Sequence, residues 1–283
     1  MTTPQFAVPL SEIDDCFQGV VPAAVTSVSL DGVPNITELS IVHRIDDDHI
    51  ALSRQFFNKT IANLQSNPRG NLLVVEPQSG RQFHLELLYE RTETEGALFD
   101  RMSARLEAVA SQTGMSKVFR LAAADICRVV ECTIVPLDKE VVPQDRPNID
   151  LKKVDVISRR ITGAGTVDEL LTVSLEVLAH EFGYEHSFIM LVDETGKRLY
   201  TVASHGYEES GVGSEVRFGD GVLGVAAERR STISLANVPR DLTYSRTVRA
   251  GFQDTDVAGS IEQEISLPGL ANVVSQHVVP IEA

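Results

Sequence analysis

The sequence is poor in basic residues, in cysteine and in long apolar runs. It carries 25 Lys and Arg against 40 Asp and Glu, a formal net charge of −15, so it lacks the positive charge that nucleic acid or an anionic membrane requires. Three cysteines are too few for a disulfide framework. No apolar run approaches the length of a bilayer crossing, and no secretory signal is visible. We therefore expect a soluble, cytoplasmic protein that binds small molecules or other proteins, and neither nucleic acid nor a membrane.

Several catalytic motifs are missing as well. The sequence has no G-x-S-x-G and no Walker sequence. His180-Glu181 begins like a zinc-protease helix, but Tyr184 stands where the second histidine is required. Cys127 and Cys132 are five residues apart on one predicted strand, so we expect them to face opposite sides and not to share a metal. We predict no metal site.

The length of 283 residues favours two domains. Pro143 and Pro147 lie among charged residues after Pro136, which is a composition typical of linkers. We therefore predict a first domain at residues 1–136, a linker at residues 137–148 and a second domain at residues 149–283.

The first domain reads as antiparallel β structure. Asp31-Gly32 predicts a hairpin turn, because glycine readily supplies a positive φ. A helical period at Leu98–Thr113 predicts one helix packed on the strands. Six strands are expected, enough to close a small barrel: Val25–Leu30, Asn35–Ile45, His49–Ser53, Asn71–Glu76, Gln82–Glu90 and Ile126–Val135.

A strand, a polar loop and a short helix follow one another between Ile50 and Asn67. Arg54 and Gln55 follow the strand, and Asn58 and Lys59 precede Thr60 at the start of the helix. The first N–H groups of a helix have no partner within it and favour an anion, so a phosphate would fit there. A solvated helix start that binds nothing is the alternative.

The run NKTIANLQSNPRGNLLV, preceded by ALSRQFF and DGVPNITELS, resembles the flavin-binding split barrels related to pyridoxamine 5′-phosphate oxidase. The resemblance covers about residues 6–136 and implies a Greek-key split barrel that forms a homodimer and binds FMN, with haem and deazaflavin as alternative cofactors. Arg54 and Lys59 are separated by four residues, whereas the oxidases carry a compact basic cluster, so we do not predict vitamin B6 oxidation. The implied cofactor-binding residues are Asn35, Thr37, Arg54, Gln55, Asn58, Lys59, Thr60, Gln78 and Ser79.

The second domain reads as α/β. Thr166-Val-Asp-Glu169 is a capping box ahead of a helix at Val167–Phe182, and two strands follow at Ser187–Asp193 and Arg198–Ser204. The segments LVDETGKRLYTVASHG, FGDGVLGVAAERRSTISLANV and VVSQHVVPI resemble a GAF domain, a sandwich of helices on an antiparallel sheet. The resemblance implies a small-ligand pocket at Gly221, Gly224 and Val225, and a domain that is incomplete at its C-terminus.

Two functions fit this organisation. The first is a sensory or regulatory protein, in which an FMN-type barrel is coupled to a ligand-sensing GAF domain and to an output domain or signalling partner. The second is an FMN-dependent oxidoreductase whose C-terminal domain regulates or dimerises it. Turnover of bound flavin with NADH or NADPH separates the two.

Overall fold

The computed structural model describes residues 5–6, 8–19, 21–39, 41–55, 58–136, 151–208, 211–252, 258–265, 270 and 273–282. The predicted linker at residues 137–148 lies outside this set. We call residues 5–136 the N-terminal half and residues 151–282 the C-terminal half. No described helix is both long and apolar enough to cross a membrane.

The N-terminal half is built on one curled sheet. Its strands are β1 (Gln5–Phe6), β2 (Ala23–Val28), β3 (Pro34–Leu39), β4 (Val42–Arg44), β5 (His49–Arg54), β6 (Arg69–Val75), β7 (Gln82–Glu93) and β8 (Ala123–Ile134). They lie in the order β3-β2-β6-β7-β8-β5-β4 with antiparallel neighbours, and β1 pairs parallel with β8. Among the described strands β3 and β4 are the two unpaired ends, so the sheet is a half-barrel.

The predicted closed barrel of six strands is therefore corrected. The predicted strand Asn35–Ile45 is two strands, β3 and β4, which lie at opposite ends of the sheet. Leu39 and Val42 are three residues apart and would face opposite sides of one continuous strand, yet both are buried in the same core. The chain must therefore bend between them, and this break separates β3 from β4.

Side chains on the two faces of the sheet form two cores. The inner core collects residues from β2 to β8 and is closed by a 3-10 helix at Leu10–Gln18, which the sequence analysis did not predict. The outer core lies under α2 (Ala97–Gln112), whose Met102, Leu106 and Ala110 pack on the sheet. A shorter helix, α1 (Asn58–Ser66), follows β5.

The two cysteines of β8 face the same side, so the prediction that they face opposite sides is wrong. The register between β7 and β8 shifts where Glu86 pairs with Glu131 but Leu87 pairs with Val129, which leaves one extra residue in β8. Such a bulge reverses the alternation of side chains, and both Cys127 and Cys132 lie in the inner core. Burial raises the pKa of Cys127 to about 12 and that of Cys132 to about 11, so both are thiols at neutral pH.

The C-terminal half contains helices and two small sheets. Its elements are α3 (Leu151–Thr162), α4 (Val167–Phe182), β9 (Ser187–Val192), β10 (Arg198–His205), β11 (Glu215–Arg217), α5 (Gly221–Arg229), β12 (Ile233–Leu235), α6 (Val238–Phe252), a 3-10 turn (Ala258–Ser260) and β13 (Gln276–Val278). The order β11-β10-β9 forms one antiparallel sheet, and β12 pairs with β13 in another. The resemblance to a GAF domain predicted one antiparallel sheet in this half. In the described part of the chain these strands form two separate sheets.

The predicted N-cap of α4 at Thr166 is confirmed, while the return bond of the capping box goes to Gly165 in place of Thr166. Thr166 Oγ1 accepts a hydrogen bond from the Glu169 N–H at 3.2 Å, and Glu169 Oε2 accepts one from the Gly165 N–H at 2.8 Å. Gly183, with φ of 72°, ends the helix in the left-handed conformation that glycine favours.

The end of α2 joins the two halves. Ser111 Oγ accepts from the Gly221 N–H at 2.9 Å and donates to the Gly219 carbonyl at 2.8 Å. We call residues 262–265 together with Arg249 the α2 clamp. In it, the Glu262 N–H donates to the Gly114 carbonyl at 2.8 Å, the Ile265 N–H donates to the Gln112 carbonyl at 2.9 Å, and Arg249 Nη1 donates to the Thr113 carbonyl at 2.7 Å. α2 is therefore shared by both halves.

A cavity of about 40 Å³ lies between α2 and α6 beside two charged side chains, Arg105 and Asp241. It is large enough for one or two water molecules. Burial raises the pKa of Asp241 to about 6, while the charges of Arg105 and Arg240 act in the opposite direction. The Asp241 carboxyl group therefore changes its charge at mildly acidic pH.

Candidate functional site

The start of α1 lies against the strands that precede it in sequence. β5 ends at Arg54, residues 56–57 lie outside the described set, and α1 begins at Asn58. Ile61 and Leu64 are buried and hold the helix on the sheet, and Asn67-Pro68 ends it as predicted. The N-terminus of α1 is thereby fixed at one end of the half-barrel.

Three predicted residues meet at this point. Thr60 lies in the first turn of α1 and is buried. Its Oγ1 accepts a hydrogen bond from Asn35 Nδ2 at 2.9 Å and lies 3.1 Å from Thr37 Oγ1. One turn further along α1, Asn63 Nδ2 donates to Ser27 Oγ at 3.1 Å. The polar side chains of β2 and β3 are thus tied to the first two turns of α1.

The orientation of the Thr60 hydroxyl follows from these contacts. Because Asn35 donates to Thr60 Oγ1, the hydroxyl hydrogen of Thr60 remains available for Thr37 or for an incoming acceptor. Lys59 beside it is exposed. The site therefore offers a cation, a hydroxyl donor and the unpaired N–H groups of a helix start, which together suit a phosphate.

The other predicted residues near α1 are Arg54, Gln55 and Asn58. Arg54 Nε lies 3.5 Å from Asp125 Oδ2, and Asp125 is buried. Gln55 is partly buried. Asn58 begins α1, and its side chain lies outside what the structure describes.

The sequence did not lead us to predict Asp125 as a residue of the site. A carboxylate within the otherwise apolar run Leu121–Cys127 was the available signal, since a lone charge on a buried strand needs a partner. Burial raises the pKa of Asp125 above its ordinary value, while a hydrogen bond from Thr92 and the charge of Arg54 lower it.

Gln78 and Ser79 lie in the turn at the far end of β6. Ser79 Oγ donates to Glu76 and accepts from the Arg81 N–H at 3.2 Å. We call Asn35, Thr37 and Thr60 the Asn35 cluster. Gly70 pairs with Ser27 beside this cluster, and the strand from Gly70 to the turn is ~17 Å long at ~3.3 Å per residue. The turn therefore lies at the other end of β6 from the Asn35 cluster, and a cofactor role for the pair, from a neighbouring strand or a neighbouring subunit, stays a prediction.

The predicted pocket residues of the C-terminal half lie in α5 and are buried against neighbouring backbone. A Cβ on Gly224 would lie 2.1 Å from the Arg217 carbonyl oxygen, and one on Gly221 would lie 2.8 Å from Gln112 Oε1. Val225 is buried in a core that also contains Ala108 of α2. Gly221 and Val225 therefore pack against the N-terminal half, and Gly224 packs against β11 of its own half. Their role in a ligand pocket stays a prediction.

One group of possible metal ligands lies in the turn between β4 and β5. The ligand atoms of Asp46, Asp48 and His49 are within 4.8 Å of one another. Asp46 Oδ1 already accepts from the backbone N–H groups of Asp48 and His49, at 3.0 and 2.8 Å. The cluster is explained by the turn that it closes.

Comparison with known proteins now identifies the fold. Residues 10–129 match the family model described as pyridoxamine 5′-phosphate oxidase. Residues 10–129 thus resemble the split barrels of this family, and we call them the PNPOx-like half-barrel, after pyridoxamine 5′-phosphate oxidase. The match takes in α1, the Asn35 cluster, Arg54 and Asp125, and it ends within β8.

Several solved structures are similar to somewhat less than half of this chain. An FMN-binding protein from Syntrophomonas wolfei is 22% identical with a TM-score of 0.38, over 46% of this chain and 90% of its own. The heme storage protein HutZ from Vibrio cholerae is 14% identical with a TM-score of 0.33, over 44% and 92%. A PNPOx-related FMN-binding protein from Nostoc punctiforme is 10% identical with a TM-score of 0.31, over 42% and 74%.

Comparison with curated proteins gives no significant match. The family model leaves residues 130–283 unmatched, so the C-terminal half has no family assignment. Its resemblance to a GAF domain therefore stays a prediction, whereas the PNPOx-like half-barrel is established.

Proposed function

We propose that the PNPOx-like half-barrel binds FMN with its phosphate at the start of α1. The observation that carries this proposal is the Thr60 hydroxyl, which Asn35 fixes at 2.9 Å in the first turn of the helix. Lys59 supplies the charge and Thr60 the directed donor. When bound, FMN would supply redox chemistry, and the residues described here would hold its phosphate.

Haem and deazaflavin are the alternative cofactors. A haem site needs an axial ligand, and the half-barrel offers His43, His49 and His84. Burial and three nearby arginines lower the pKa of His43, and His49 Nδ1 lies 2.9 Å from Asp46 Oδ1 in its turn. The phosphate-binding groups at α1 favour FMN over haem.

For the whole chain we propose a regulatory protein in which the C-terminal half senses a small ligand and acts on the half-barrel. The support is the shared helix α2, whose last turn is bonded to α5 and to the α2 clamp. An FMN-dependent oxidoreductase with a regulatory C-terminal half is the second candidate. Oxidation of NADH or NADPH by the FMN-loaded protein would favour this second candidate.

Cofactor binding is tested on the purified full chain by absorbance and by thermal denaturation with added FMN. Binding to the native state alone raises the melting temperature as ligand concentration rises above Kd. We expect a flavin spectrum and an upward shift with FMN. A shift with haem and none with FMN would contradict the proposal.

Lys59→Ala is expected to weaken FMN binding about tenfold or more and riboflavin binding little. The reason is that only FMN carries the phosphate, and hydrogen bonds to charged groups contribute about 1.5–3 kcal/mol. Fluorescence quenching titrations measure both affinities. Lys197→Ala, in the exposed turn after β9, is the control. Equal losses for FMN and riboflavin would remove Lys59 from the phosphate site.

A further inference from the structure

A bulge in β7 brings two polar side chains to the same face beside Asp125. The register shifts between Tyr89, which pairs with Cys127, and Arg91, which pairs with Ile126, so Glu90 is the extra residue. Tyr89 and Thr92 are three residues apart and would otherwise point to opposite faces. With the bulge, Tyr89 packs on the inner core and Thr92 pairs directly with Asp125.

The three side chains form one directed chain of hydrogen bonds. Thr92 Oγ1 donates to Asp125 Oδ1 at 2.6 Å, so its own hydrogen is used. The Tyr89 hydroxyl, 2.8 Å from Thr92 Oγ1, is then the donor in that contact. The hydrogen bonds therefore run from Tyr89 to Thr92 and from Thr92 to the Asp125 carboxylate. The Asp125 side chain is only 8% exposed. This arrangement fixes Oδ1 and leaves Oδ2 for another partner.

That partner is Arg54. Among the described ion pairs, Arg54 is the cation within reach of Asp125, with Nε 3.5 Å from Oδ2. Nε is buried and makes no hydrogen bond among the described residues. Arg54 pairs with Ala123 on β8, two residues from Asp125, and it stands four residues before the start of α1. Arg54 therefore links a fixed carboxylate to the strand end that leads into α1 and the proposed phosphate site.

We propose that Asp125 is a positioning residue that holds Arg54 as the second cation of the phosphate site. This inference rests on the proposed binding of FMN. A guanidinium is a rigid planar fork of five donors, so a carboxylate on its Nε side sets the plane of the group and leaves the Nη donors for an anion. Tyr89 and Thr92 act through Asp125, and the β7 bulge places them there.

The test compares the affinities for FMN and riboflavin in Asp125→Asn and Thr92→Val. The ratio of the riboflavin Kd to the FMN Kd isolates the phosphate contribution. We expect the ratio to fall about tenfold in Asp125→Asn and less in Thr92→Val, because a misplaced guanidinium loses part of a charge-assisted contact. If Asp125→Asn fails to fold, the ratio measured in Thr92→Val still tests the proposal. Glu93→Gln, the same change of carboxylate to amide one residue beyond Thr92 in a pair with Arg91, should leave the ratio unchanged.

A second arm separates positioning from a direct effect of the charge. In an Arg54→Gln background, Asp125→Asn should not lower the ratio further, since Asp125 acts through Arg54. A ratio that rises in Asp125→Asn would mean that the carboxylate only repels the phosphate, and equal losses for both ligands would mean a purely structural role. Either result overturns the inference. Failure of the unsubstituted protein to prefer FMN is visible before any variant is made and overturns the proposed function itself.

Discussion

Gly114→Ala is expected to lower the free energy of unfolding by about 2–4 kcal/mol and to detach the C-terminal half from α2. Gly114 has a φ of +69°, and a Cβ there would lie 2.2 Å from the Glu262 carbonyl oxygen. Backbone of the α2 clamp must move to relieve that clash. The movement breaks the bond from the Glu262 N–H to the Gly114 carbonyl and strains the neighbouring contact between Ile265 and Gln112.

Gly80→Ala is the matched control. Gly80 has a φ of +72° in the turn between β6 and β7, and nothing lies within 4 Å of a Cβ built there. Its substitution introduces the same backbone strain without the clash and should cost about 1–2 kcal/mol. Urea denaturation of both variants measures the difference. Equal losses would mean that the α2 clamp does not hold the two halves together in solution.

Cutting the chain after Pro136 is expected to destabilise the half-barrel by about 3–5 kcal/mol, since several apolar side chains each lose about 1–2 kcal/mol of burial. The cut uncovers Val109, which packs against α5, β12 and α6. It also removes Val248, Phe252 and Ile261, which pack on the outer core. Thermal denaturation and binding of a hydrophobic dye compare residues 1–136 with the full chain. The fragment should melt lower and bind more dye.

The same substitution made in both chain lengths distinguishes the lost burial of apolar side chains from a general loss of stability. Val109→Gln should destabilise the full chain, in which the side chain is packed, and should be nearly neutral in residues 1–136, in which it is exposed. If residues 1–136 melt at the temperature of the half-barrel in the full chain, then the C-terminal half contributes nothing to it. The two units would then be independent domains, as the sequence analysis predicted.

Local signals in the sequence predicted the local elements well. The capping box and Gly183 define α4 at Val167–Phe182, and Asp31-Gly32 forms the turn between β2 and β3, with Gly32 at a φ of +79°. Elements without such signals were missed. α6 has a weakly segregated apolar face, and the 3-10 helix Leu10–Gln18 has a period of three in place of 3.6.

The bulges were beyond prediction, since each depends on the register between two strands and on no motif in either. The bulge in β7 affects the candidate site because it places Thr92 beside Asp125. The cluster of Asn35, Thr37 and Thr60 joins residues that the family resemblance had already named. Asp125 and Thr92 are 33 positions apart in sequence and meet only through the pairing of β7 with β8. The second face of α2 was missed for a similar reason, because its partners follow it by more than a hundred residues.

The sharing of α2 also has a consequence during synthesis. The helix emerges from the ribosome about 140–150 residues before the α2 clamp, and at ~5–20 residues per second that interval lasts roughly 7–30 s. For most of it, until α5 and then α6 have been synthesised, neither helix covers Ala108 and Val109. The nascent half-barrel therefore presents an apolar helix face to chaperones and to other nascent chains, and the delay ends only when the last third of the chain arrives.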